Sequence, residues 1–339
     1  MKISYQLTEE EKRILDLLMT EELNNKFSFN YPRSKVFFQK KVAFFPLIFP
    51  QINLFLKELN IFHKEDYLHY FWYFWFPLAL DLMELKQSKS DTLIMGILGS
   101  QGTGKSTLTT ILTQIWQCLG LNSIELSLDD LYKTYQERQE LLKIDSRLRW
   151  RGVPLTHDVS LGLEILDRVK KQDYPIFLPR FDKSLHNGMG DRTTPKTANQ
   201  ADIMIFEGWF VGVQPVAENP FFHAPYPIVT EEDKQFALDN NQRLKEYLPL
   251  WEKLDYLLIL NPEDYRYSLQ WRKEAEHKMI QTGKTGMTDK QIEEFVYYFW
   301  KALHPQIYLP HLLKTADLVV NLNINHSVKS IFQTHPHNE

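Results

Sequence analysis

The chain has 339 residues, 43% hydrophobic, 24% charged and 14% aromatic, with a formal charge of −4. Such a composition excludes a disordered or collagen-like chain. The near-neutral balance gives no global field for nucleic acid or an anionic membrane, so neither is expected as a partner. The length allows about two domains, or one large domain with an appendage. Cys118 is the only cysteine. No internal disulfide can form, which fits a reducing compartment and points to the cytoplasm.

The N-terminal stretch MKISYQLTEEEKRIL is acidic and lacks an apolar run. It reads as neither a secretory signal nor a transit peptide. Thr8 and Glu11 fit a capping box, and Leu15, Leu18 and Met19 follow at helical spacing. Further helices are expected at 50–60 and 64–86. The run YFWYFWFPLAL at 70–80 is too short to span a bilayer and is interrupted by Pro77, so it reads as a buried helix. Residues 1–90 are therefore expected to be a helical region, ended by the polar linker KQSKSD at 86–91.

From residue 91 the pattern changes. Apolar runs at 92–98, 123–128, 202–206, 256–260 and 318–322 are rich in β-branched residues and separated by longer helical stretches. That alternation predicts an α/β domain over 91–339, with a parallel sheet flanked by helices. None of the 13 glycines precedes Gly96, yet Gly96, Gly99, Gly102 and Gly104 cluster after the first of these runs. Such clustering marks close backbone approach.

Gly99, Ser100, Gln101, Gly102, Thr103, Gly104, Lys105 and Ser106 match G-x-x-x-x-G-K-S/T, with a strand pattern before and a helix pattern after. This is the P-loop NTPase arrangement. Backbone amides and the helix N-terminus can cradle phosphate, Lys105 can reach the β- and γ-phosphates of ATP, and Ser106 can ligate Mg²⁺, with Thr107 as a polar neighbour. The bound nucleotide follows from this motif, but the reaction does not.

Asn261, Pro262, Glu263 and Asp264 have the spacing of a guanine-specificity motif but lack its lysine. The strand IMIF ends in Glu207 rather than an Asp-Glu pair, and a later helix carries Arg266, Arg272, Lys273 and Lys278. These features favour a small-molecule kinase with a lid at about 263–290. Asp129 follows the second strand, where strand ends converge on the ligand crevice. It is the candidate base, with Asp130 in support and Tyr132 beside the substrate. Glu207 is the candidate for holding Mg²⁺ through water.

In RGVPLTHD (151–158), Asp158 reads as a helix cap rather than a catalytic acid, and His157 is undecided. PRFDKSLHNGMGDR (179–192) is dense in charge. It offers Arg180 and Arg192 for an anionic acceptor, and Asp182 and His186 for its polar groups. Arg266 and Arg272 lie about 600° apart around a helix, so they do not share a face; Arg272 is the preferred lid charge.

GSQGTGKST, SLDDLY, RGVPLTHD, PRFDKSLHNGMGDR and IFEGWFVG, in this order, resemble D-glycerate 3-kinase of the plant and cyanobacterial type. QWRKEAEHKMIQTGKTGM is similar too, and the resemblance covers about 90–325. More distantly the chain is similar to phosphoribulokinase, uridine kinase and bacterial pantothenate kinase. In those families the acid matching Asp129 is the catalytic base, in a D-x-F-Y/H/L setting from which Leu131 departs. The resemblance implies ATP, Mg²⁺ and phosphorylation of D-glycerate on its 3-hydroxyl, a step of photorespiratory salvage in photosynthetic organisms. Pantothenate or a nucleoside as acceptor, or a nucleotide-binding regulatory protein without kinase activity, are the rival readings. The sequence gives no oligomeric state.

Overall fold

A computed structural model describes residues 6–23, 35–59, 64–283 and 286–334. Its first elements are helices α1 (Glu9–Leu23), α2 (Lys35–Leu59), α3 (Lys64–Tyr70) and α4 (Phe76–Gln87). Thr8 and Glu11 do form the expected capping box, with Glu11 N–H donating to Thr8 Oγ1 at 3.2 Å. Helix α2 runs much further than the predicted 50–60, through Pro46 and Pro50. Proline normally breaks a helix interior. Here the apolar stripe of Phe45, Ile48, Phe49 and Ile52 is wholly buried and holds the helix together. The aromatic run 71–75 is a buried π-turn between α3 and α4. One carbonyl of that turn, Trp72 O, accepts from the buried Lys41 ammonium at 3.3 Å.

The strands are β1 (Leu93–Gly99), β2 (Ser123–Ser127), β3 (Ile176–Asp182), β4 (Asp191–Ala198), β5 (Ile203–Gly208), β6 (Tyr256–Pro262), β7 (Leu318–Leu322) and β8 (Val328–Gln333). Six of them form one sheet in the order β2-β5-β1-β6-β7-β8, parallel except for β8. All five runs read as strands from the sequence lie in this sheet. The hairpin β3–β4 and the edge strand β8 were not predicted. β4 reads DRTTPKTA, with one hydrophobic residue, so no apolar alternation announces it.

The connecting helices are α5 (Lys105–Cys118), α6 (Tyr135–Ile144), α7 (Val159–Lys171), α8 (Asn219–Phe222), α9 (Glu231–Arg243), α10 (Leu248–Trp251), α11 (Tyr267–Gln281), α12 (Asp289–Ala302) and α13 (Pro305–Thr315). Strand side chains alternate between two cores. Leu93, Met95 and Ile97 face one core, with Ile203, Ile205, α5 and the N-terminal helices. Ile94 and Leu98 face the other, with Met204, Phe206 and α7. The N-terminal helices thus complete the layer over one face of the sheet. Trp116 of α5 is fully buried and donates from Nε1 to Ala79 O at 3.0 Å, tying the helix after the glycine loop to α4. No described helix is long and apolar enough to cross a membrane.

Candidate active site

β1 ends at Gly99 and α5 begins at Lys105, so the glycine loop lies where the parallel strands end. The loop is braced from inside: Thr103 is buried and its hydroxyl donates to Ser100 O at 2.9 Å. It is also braced from outside. Gly102 has φ +82, and a Cβ there would lie 2.7 Å from Cβ of Trp271 in α11. Trp271 stacks on His326 at 4.5 Å and donates to Ile324 O at 2.6 Å. His326 Nδ1 lies 3.0 Å from Gly102 O. The loop is therefore clamped between α11 and the β7–β8 turn.

Lys105 folds back on this loop, donating to Gly99 O at 2.8 Å and Ser100 O at 3.3 Å, with Glu207 Oε2 at 3.9 Å. Burial lowers the ammonium pKa, and Glu207 and Asp129 oppose that shift. Ser100, Gln101, Gly102, Lys105 and Ser106 line a cleft of about 1000 Å³. Ser100 Oγ is buried with no hydrogen-bond partner among the described residues.

Glu207 and Ser127 are register partners on adjacent strands, so the carboxylate and the start of the next turn share one sheet edge. After Ser127 the chain makes a 3-10 turn, Leu128–Leu131, whose N-terminus Ser127 caps by accepting from Asp129 N at 3.2 Å. The turn projects Asp129 into the cleft. Its Oδ1 accepts from Tyr132 OH at 2.6 Å and its Oδ2 from Lys183 Nζ at 2.7 Å. Burial raises the Asp129 pKa, but the Lys183 charge and the two hydrogen bonds outweigh it, and the carboxyl stays below its ordinary value. Burial and the Asp129 charge hold Tyr132 well above a normal phenol, so it remains a donor. His157, undecided from sequence, lies beneath Tyr132 in a 4.8 Å stack, with Nδ1 2.8 Å from Tyr247 OH. Burial drives it down to about 3, against the pull of Asp129, so the ring is neutral.

The acceptor side departs from expectation. Arg180, Asp182, His186 and Arg192 do not line the cleft. Arg180 donates to Asp130 Oδ2 at 3.0 Å and Arg192 to Asp158 Oδ2 at 2.9 Å. Asp182 caps its own turn at Ser184, and His186 stacks on Tyr135. Arg180 and Arg192 thereby fix the hairpin against the 3-10 turn and the start of α7, while Asp182 stays within its own turn and His186 packs on α6. Asp158 does cap α7, accepting from Leu161 N at 3.0 Å. The cationic groups that line the cleft on this side are Arg138, Arg149, Arg151 and Lys183. On the α11 side, Arg272 lines the cleft and pairs with the buried Glu276 at 2.7 Å. Arg266 is exposed and paired with Asp264. Gly99, Thr103, Gly104 and Thr107 shape the loop and its helix without lining the cleft.

No protein-family model matches the chain. It is 32% identical over 228 residues to the uncharacterized kinase mug58 of Schizosaccharomyces pombe, covering 63% of this chain and 81% of the relative. It is 31% identical over 230 residues to chloroplastic D-glycerate 3-kinase of Arabidopsis thaliana, covering 64% of this chain. The solved D-glycerate 3-kinase of Cryptococcus neoformans superposes with a TM-score of 0.67 at 26% identity, covering 75% of this chain and 96% of that one.

The chain belongs to the P-loop kinase family that includes D-glycerate 3-kinase. It spans about half the length of the Arabidopsis kinase. For this member of the family, the motifs visible in sequence locate the loop, Asp129 and Glu207 at one sheet edge. Arg138 and Trp271 went unrecognised. Arg138 sits in the polar helix YQERQELLKI, where nothing distinguishes it from a solvated arginine. Trp271 lies inside the QWRKEAE stretch, where the charge of its neighbour Arg272 is the feature that the sequence marks. Residues 284 and 285 of the GKTGM stretch lie outside the described residues.

Proposed function

We propose that this chain is an ATP-dependent kinase that phosphorylates D-glycerate on its 3-hydroxyl, giving 3-phosphoglycerate and ADP. The observation that carries the reading is the position of Asp129. A carboxylate kept ionised by Lys183 and Tyr132 faces the same cleft as the phosphate loop, Lys105 and Glu207. A regulatory nucleotide switch needs no such base.

Asp129 accepts the proton of the acceptor hydroxyl as that oxygen bonds to the γ-phosphorus and the bond to the bridging oxygen of ADP breaks. Lys105 leaves the Gly99 and Ser100 carbonyls and neutralises the phosphate oxygens. The unpartnered Ser100 hydroxyl and the loop amides supply further donors. Arg272 acts from a lid at about 263–290, in a kinase domain that follows the helical region at about residue 90.

Mg²⁺ fits the donor set. Among the described residues there is no cluster of three or more His, Cys, Asp or Glu side chains that could hold a metal. Ser106 offers a hydroxyl and Glu207 a carboxylate, and both line the cleft, as do Asp129 and Asp130. Mg²⁺ is characteristically bound by few protein oxygens, completing its shell with water and phosphate. When bound it would neutralise charge on the β- and γ-phosphates, with Ser106 as ligand and Glu207 acting through water.

A cytoplasmic setting, supported by the single cysteine, and the photorespiratory role carried by the resemblance are part of the proposal. A coupled ADP-release assay with D-glycerate, pantothenate and uridine tests it. D-glycerate-dependent turnover is expected. ATP binding without acceptor-dependent ADP release would overturn it in favour of a regulatory protein.

A further inference from the structure

Arg151 lies at the acceptor side of the cleft on a rigid turn. Gly152, the next residue, has φ +121, and its N–H donates to the buried Thr156 hydroxyl at 2.9 Å. A Cβ on Gly152 would lie 2.6 Å from Phe299, and Trp209 Nε1 donates to its carbonyl at 2.9 Å. The backbone beside Arg151 is therefore fixed from both sides. Its guanidinium lies over the rings of Tyr132, at 5.9 Å, and Phe181, at 5.5 Å. Tyr132 is the residue that holds Asp129, so the guanidinium and the base share a neighbour.

The hydrogen bonds of Arg151 leave one edge open. Nη1 donates to Gly188 O at 2.8 Å and Met189 O at 3.0 Å. Nε and Nη2 have no partner among the described residues, and no carboxylate there pairs with Arg151. Nε and Nη2 form the side-on fork that takes a carboxylate with two parallel hydrogen bonds. Arg138, 6% exposed, stands close by and also lacks a carboxylate partner among the described residues. It donates to Lys133 O at 3.0 Å, to Met189 O at 2.8 Å and to Gly190 O at 2.5 Å. Burial and then the Arg151 charge lower its pKa. Arg149, exposed and stacked on Trp150 at 4.2 Å, adds a third cation to the same wall. A buried charge is ordinarily paired. Arg138 is buried without an ion pair, Asp191 acting on it only at longer range, and the half-buried Arg151 and the exposed Arg149 face the same cleft; together they make a site suited to an anion.

We infer that Arg151 reads the carboxylate of the acceptor through its Nε and Nη2 edge, with Arg138 and Arg149 supplying the surrounding positive charge. This deepens the kinase reading and rests on it in taking the acceptor to be a hydroxy acid. The carbonyls of 188–190 aim the guanidiniums. The polar segment 179–192 therefore contributes to acceptor binding through its backbone and Lys183, not through Arg180 or Arg192.

The test compares D-glycerate with D-glyceramide, its uncharged amide, in the full-length kinase. Arg151→Ala is expected to raise the KM for D-glycerate by about 30-fold or more, as for removal of one partner of a buried hydrogen-bonded charge pair. Turnover of glyceramide should change by less than about threefold, which also reports that the variant is folded. Arg151→Lys, a charge without a fork, should recover only part of the loss. Equal losses on acid and amide would make Arg151 a strut for the hairpin and overturn the inference, as would an unchanged KM for D-glycerate. Absence of D-glycerate turnover in the wild type sinks the functional reading alone. The comparison is then read on whichever hydroxy acid turns over, and if none does, the Arg151 inference falls as well.

Discussion

Replacing Asp129 by Asn separates chemistry from scaffolding, because the structure bounds each cost. The amide keeps the shape and cannot accept the hydroxyl proton, so kcat should fall by about 10²–10⁴. The stability cost is small. The partner Lys183 side chain is 62% exposed, and an exposed ion pair contributes about 0–1 kcal/mol. Tyr132 OH keeps an oxygen to donate to, and loses only the charge on it, about 1 kcal/mol. The sum is about 1–2 kcal/mol, so Tm should fall by no more than about 8 °C. ATP affinity should be nearly unchanged, since no hydrogen bond joins Asp129 to the phosphate loop. The assay is ADP release at saturating acceptor, with ATP binding by titration and a thermal melt. A kcat within about threefold of wild type would remove Asp129 from the chemistry. A collapse of folding would instead show it to be structural.

Lys183→Ala should move the acid limb of kcat upward. Lys183 is the main group holding the Asp129 carboxyl down against burial; without it burial prevails and the base protonates at higher pH. An acid limb that stays put in the kcat–pH profile would refute this. Gly102→Ala requires a positive-φ alanine whose methyl meets Trp271 at 2.7 Å; ATP affinity should fall about tenfold or more. Isothermal titration showing unaltered ATP affinity would mean the clamp is dispensable. Burial keeps His157 near 3 and His304 near 4, both below the ordinary 6.5. Their contribution is present above pH 6.5 and is lost as pH falls towards the folded values, by up to about 1.4 kcal/mol per pH unit for each. Urea midpoints between pH 7 and 4.5 should show a shallower decline in a His157→Gln, His304→Gln variant than in the wild type.

The five parallel strands were legible because each is a short apolar run between helical stretches. The phosphate loop was legible because its spacing and strand–helix context are nearly unique. Asp129 and Glu207 followed from where parallel strands end. The acceptor wall was not legible, for a physical reason. Side-chain charge in 179–192 drew attention to Arg180 and Arg192, yet whether a guanidinium is free depends on tertiary partners. Asp130 and Asp158 satisfy those two. Arg138 and Arg151 remain without a carboxylate, and no local pattern distinguishes the two cases. Likewise α2 ran past two prolines because long-range burial outweighed the local rule.

The core shared by the N-terminal helices and the sheet has a consequence for the order in which the protein is made. α2, the aromatic turn and α4 are synthesised before any strand; Phe45 and Phe49 pack on Phe71 and Trp72, but the side of these helices that meets the sheet stays uncovered until the sheet exists. The sheet cannot close early: the neighbours of β1 are β5 and β6, more than 100 residues further along the chain. At translation rates of about 5–20 residues per second, that surface waits several seconds or longer for its partner. The most aromatic segment of the protein is thus also its most exposed one during synthesis, and the chain depends on protection from self-association at that stage more than its finished surface would suggest.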